Sequence, residues 1–129
     1  MTNPISSILS GSTGRAVSKS ANIAAWILQG LLALAFLAAG SSKLAGVPEM
    51  VKVFDALGLG QWLRILTGVF EIGGAIALLI PRTRFFGALW LCAIMFFAII
   101  AHVAKLHTNP APPIVLLALC GTVAYLRRP

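Results

Sequence analysis

The sequence predicts an all-α integral membrane protein: a bundle of four membrane-crossing helices, with a short interfacial helix between the first and second. Three observations carry this reading. Of 129 residues, 59% are hydrophobic and only 10% charged, whereas soluble domains carry about 25% charged residues. Mean hydropathy is +0.95, and a chain of this size could not hide so much apolar surface from water. The apolar residues also fall into four runs separated by short polar or basic turns, as expected when a span needs about 20 apolar residues.

Residues 1–20, rich in Ser, Gly and Thr and carrying Arg15 and Lys19, read as a flexible cytoplasmic tail before a transmembrane domain at 21–129. The first span covers 23–44 and is free of charge until Lys43. It is long for the apolar core of a cleaved signal peptide, so it is expected to stay in the protein. In the loop that follows, Pro48 and Glu49 suit the first turn of a helix. Val47, Met50, Val51, Phe54 and Leu57 then share one stripe, with Lys52 and Asp55 off it. That pattern predicts an amphipathic helix on the membrane surface, stopped by Gly58 and Gly60. The second span covers 62–80 and opens on Trp62, which suits the membrane interface. Pro81 to Arg84 form a basic turn, and the third span covers 85–104. A Pro-rich turn leads to the fourth span, 113–126, which is short and is followed by Arg127 and Arg128.

The formal net charge is +7. The basic residues lie between or beside apolar runs rather than on one contiguous face, which fits topology signals and lipid headgroups and argues against nucleic acid. Four spans put both termini on one side. Arg15, Lys19, Arg82, Arg84, Arg127 and Arg128 lie there, against Lys43, Lys52, Arg64 and Lys105 opposite. The positive-inside rule therefore predicts a multi-pass protein of the inner (cytoplasmic) membrane with both termini in the cytoplasm. Cys92 and Cys120 sit in apolar runs, and no His or Cys spacing suggests a metal site.

Glu71 lies near the middle of the second span, where a charged group is costly. Arg64 stands seven residues earlier on the same helical face, with Thr67 and Gly68 between them. The predicted topology puts Lys43, Arg64 and His102 toward the outer leaflet, with Glu71 about 10 Å deeper than Arg64. Two readings follow: a polar pocket in the outer half of the bundle, handling protons or holding a lipid-soluble molecule, or an acid–base pair that locks helices together. Lys43 and Arg64 could equally snorkel to the headgroups. Gly68, Gly73, Gly74 and Ala77 are expected to let helices approach closely, and the inner half around Cys92 and Cys120 is expected to be apolar.

The sequence resembles the DoxX-like family of small bacterial membrane proteins. The resemblance rests on Phe36-Leu-Ala-Ala-Gly-Ser-Ser-Lys43-Leu44, Leu57-Gly-Leu-Gly-Gln-Trp-Leu-Arg64, Thr67-Gly-Val-Phe-Glu71-Ile-Gly-Gly74, Leu79-Ile-Pro81 and Ala101-His102. It implies a four-helix membrane bundle, and for some relatives sulfur or thiol redox chemistry linked to quinone. Lys43, Arg64, Glu71 and His102 are the matching polar positions. The reading that results is an accessory membrane protein or a binder of a lipid-soluble molecule, not catalytic on its own. Lipid, partner subunits or further copies of the chain are its expected partners. The alternative is a membrane component of a quinone-linked oxidoreductase.

Overall fold

The structure is a computed structural model and describes residues 18–129. The predicted tail therefore lies outside the described residues up to position 17. Five α-helices follow in order: α1 (Lys19–Ala45), α2 (Pro48–Leu57), α3 (Trp62–Leu79), α4 (Arg84–Ala101) and α5 (Ala111–Leu126). No strand occurs among the described residues.

Local chemistry sets the helix ends. The Ser18 hydroxyl accepts the Ala21 N–H at 3.1 Å and caps α1. Gly46, at φ 70°, closes α1 in the left-handed conformation and donates back to Ser42 and Lys43. Pro48 starts α2, and Gly58, at φ 74°, stops it. Ile80 turns extended ahead of Pro81, which ends α3. The third span departs from its prediction at the far end. After Ala101 the backbone widens into a π-helical turn, His102–Leu106, that finishes on His107 at φ 52°. The apolar pattern continues through this segment, so periodicity alone does not reveal the change of helix type.

In space α1 packs along α3, α3 on α4, α4 on α5, and α5 returns to α1. The core is a stripe from each: Leu32 and Phe36 of α1, Ala75 and Leu78 of α3, Leu91 and Met95 of α4, and Cys120 and Val123 of α5. The opposite faces are apolar and uncovered; Leu34 and Phe97 are each 67% exposed. Apolar side chains on the outside mean that lipid is the solvent of this bundle. Three helices are long and apolar enough to cross a membrane: α1, α3 and α4 with its π turn. The fourth predicted span is shorter than that. At 16 residues α5 is about 24 Å long, against about 30 Å of hydrocarbon.

Helix α2 is not merely laid on a surface. Phe54 and Leu57 are buried, and the helix touches α1, α3 and the π turn. Gln61 ties its end to α3 by donating to the Val51 carbonyl at 3.0 Å and to Asp55 Oδ1 at 2.9 Å. The amphipathic stripe thus roofs one end of the bundle.

Candidate functional site

Two glycines create the site. A Cβ on Gly40 would stand 2.8 Å from the Gly68 carbonyl oxygen, and one on Gly68 would stand 2.9 Å from the Gly40 oxygen. Helices α1 and α3 therefore touch backbone to backbone at this crossing, as small residues permit in membranes. Gly74 meets Leu91, and Gly87 meets Ala77, where α3 meets α4. Gly73 faces open space instead, so of the four small residues expected to allow close approach it is the one that does not.

One turn beyond the Gly40–Gly68 contact, Lys43 of α1 and Glu71 of α3 meet, with Nζ 2.7 Å from Oε1. Glu71 is 2% exposed and Lys43 16%. The separation is that of a charge-assisted contact, and no donor other than Lys43 reaches Oε1 among the described residues. The contact is thus a nearly dehydrated ion pair in which Lys43 is the one partner of the Glu71 carboxylate among the described residues. This is the only ion pair among the described residues.

Arg64 takes a different place. It donates through Nη1 to the Lys43 carbonyl and through Nε to Gln61 Oε1 at 2.8 Å. Its charge sits at the C-terminal end of α1, where the helix dipole favours a cation. It supports the backbone that carries Lys43 and does not reach Glu71. His102 begins the π turn, half-buried, with Nδ1 2.6 Å from Thr108 Oγ1.

A cavity of about 400 Å³ lies between α3, α4 and the roofing helix α2. Lys43, Thr67, Glu71 and His102 line it; Arg64 does not. Its walls are otherwise apolar, from Phe54, Leu63, Phe70, Met95 and Ala98 among others. Leu66, Phe70 and Phe97 line it and are also exposed on the lipid-facing surface, so its mouth lies there. The volume is within the range of small-molecule sites, about 300–1,000 Å³.

The packing around Cys92 and Cys120 is apolar, as expected, but a second polar cluster that the sequence reading did not name lies at the end opposite the cavity. Gln29 is wholly buried and donates to the Leu78 carbonyl at 2.6 Å, one of the carbonyls that the end of α3 leaves without a helical partner. Arg127 turns inward, donating through Nε to Gln29 Oε1 and through Nη1 to Asn22 Oδ1, both at 2.7 Å. Burial, and then the neighbouring Arg84, pull the Arg127 pKa below its ordinary value. The Arg84 and Arg127 guanidinium carbons stand 5.4 and 5.5 Å from the Trp26 ring centroid. The sequence signal was present: Asn22 and Gln29 fall seven apart on one face of an otherwise apolar run. Arg128 stacks on the exposed Tyr125, its guanidinium carbon 3.9 Å from the ring centroid. Cys120 lies in the core with Cys92 packed against it, both free thiols.

No curated protein matches the chain, and no solved structure does. A family match covers residues 27–123, from the third turn of α1 almost to the end of α5. With its apolar all-α bundle in lipid, the chain belongs to the DoxX-like family.

Proposed function

We propose that this DoxX-like membrane protein binds a lipid-soluble molecule with a polar head, taken up sideways from the bilayer. The observation that carries the reading is one cavity with apolar walls, a mouth among lipid-facing side chains, and a Lys43–Glu71 pair at its base. A charged pair facing an apolar cavity carries a desolvation cost that a polar head group in contact with it would offset. Lys43 offers ammonium protons and His102 a ring nitrogen to an accepting head group. The Glu71 carboxylate lines the cavity and has acceptor capacity beyond its contact with Lys43, which suits a donating hydroxyl. In this reading α5 is a fourth, short crossing. The basic end with both termini faces the cytoplasm, and the cavity opens in the outer half of the inner membrane.

The test is to purify the protein in native-membrane discs, extract the bound lipids and quantify them by mass spectrometry. The wild type should retain one lipophilic species at close to stoichiometric amount. Glu71→Gln and the cavity-filling Ala98→Trp should each lose it about tenfold. Equal lipid content in all three proteins would end the proposal.

A quinone is the second reading, favoured by the convergence of Glu71 and His102, two groups able to hold protons, on the same cavity. A quinone supplies two-electron redox chemistry when bound. Lys43 and His102 would orient its carbonyls, and Glu71 would exchange a proton at the carbonyl oxygen. Decyl-ubiquinone should then bind saturably to the wild type and weakly to His102→Phe.

A further inference from the structure

The charge inventory leaves one end of the molecule unbalanced. The chain has three carboxylate side chains, Glu49, Asp55 and Glu71. Glu71 is held by Lys43, and Glu49 and Asp55 lie on α2 at the cavity end. The opposite end carries Arg82, Arg84, Arg127 and Arg128 and no acidic side chain. There Arg127, only 9% exposed, donates solely to neutral acceptors, Gln29 and the side chain and carbonyl of Asn22. Those bonds use three of its five guanidinium donors. Arg84 comes within cation–π range of the same Trp26 ring, so two like charges share one aromatic partner. A buried guanidinium beside a second one is costly without an anion. Among the described residues no acidic group pairs with either arginine, the one ion pair being Lys43–Glu71 at the other end.

We propose that Arg84, Trp26 and Arg127 form a site for the phosphate group of an anionic phospholipid at the basic end of the bundle. Guanidinium groups match phosphate oxygens in geometry and charge. Both guanidinium groups lie beside the Trp26 ring, at 5.4 and 5.5 Å from its centroid, and Arg84 is close enough to act electrostatically on Arg127. Arg127 is fixed by Gln29 and Asn22, so its remaining N–H groups are oriented before the anion arrives. The source is a lipid rather than free phosphate, because the exposed Ile23 and Ile27 flank Trp26 on α1 and offer a path for acyl chains. Arg82, exposed in the turn before α4, makes none of these contacts and provides the comparison.

The experiment uses the whole chain in nanodiscs of phosphatidylcholine with a small share of phosphatidylglycerol, measuring the lipids retained by native mass spectrometry. The wild type should retain phosphatidylglycerol preferentially. Arg84→Gln should reduce that preference about tenfold, the scale of a charge-assisted hydrogen bond, while Arg82→Gln should change it less than about twofold. Because Arg127→Gln can disturb the Gln29 network, Arg84→Gln is the deciding variant. Equal losses in the two variants would mean diffuse surface charge and would overturn the site. So would retention of the two lipids in proportion to their share of the disc, or displacement of phosphatidylglycerol by millimolar inorganic phosphate.

Discussion

Glu71 and Lys43 each occupy a position that neither tolerates alone. Removing one partner leaves a buried charge without compensation, which costs about 3–5 kcal/mol, whereas removing both together often costs far less. Lys43→Met should therefore destabilise the protein by about 3 kcal/mol in detergent unfolding. Lys43→Met combined with Glu71→Leu should recover much of that loss, a coupling read from the double-mutant cycle. Gln29 makes the matching case at the other end. Gln29→Leu fits the space but strands the Leu78 carbonyl and part of Arg127, so a loss of about 1–3 kcal/mol is expected in the same measurement. The sequence makes Glu71 conspicuous because a carboxylate interrupts an apolar run. It makes Gln29 easy to pass over because an amide carries no charge. It also puts Arg64 and Glu71 on one face, but it does not say that Arg64 reaches the end of α1 and leaves the acid to Lys43. Shared phase on a helix limits which side chains can meet; the partner helix decides which do.

At the scale of elements, glycine positions divide into contacts and bystanders. Gly40→Ala would drive a methyl group into the Gly68 carbonyl, so α1 and α3 must separate, at a cost of about 1–3 kcal/mol. Gly73→Ala meets nothing within 4 Å, and the better helix propensity of alanine should stabilise the protein by up to about 1 kcal/mol. Thermal unfolding of the two variants in one detergent should shift in opposite directions. Composition alone treats these glycines alike, since each lies in an apolar run; only the crossing point of the helices distinguishes them. The helices themselves were largely readable, because Gly46, Gly58 and Pro81 end their elements for reasons local to the chain. The π turn was not, since widening a helix by one residue per turn leaves the apolar pattern intact.

For the molecule as a whole, the proposed orientation has a direct test. With the native cysteines replaced by serine, Asp55→Cys should react with a membrane-impermeant maleimide added outside intact spheroplasts, and Arg128→Cys should react only after lysis. The opposite pattern would invert the topology. The bundle was legible because the ratio of apolar to charged residues leaves lipid as the only adequate solvent, but a cavity depends on how three helices and a roof diverge, which no single stretch of sequence records. The Gly40–Gly68 contact has one more consequence. Between those two backbones no side chain can change rotamer, so Lys43 and Glu71 stand on a rigid base. The surrounding walls include Met50, Met95 and Phe97, and unbranched thioether side chains reshape easily. Recognition should thus be strict for the polar head and tolerant of the tail, with chains of different length or branching admitted as long as the head group keeps its chemistry.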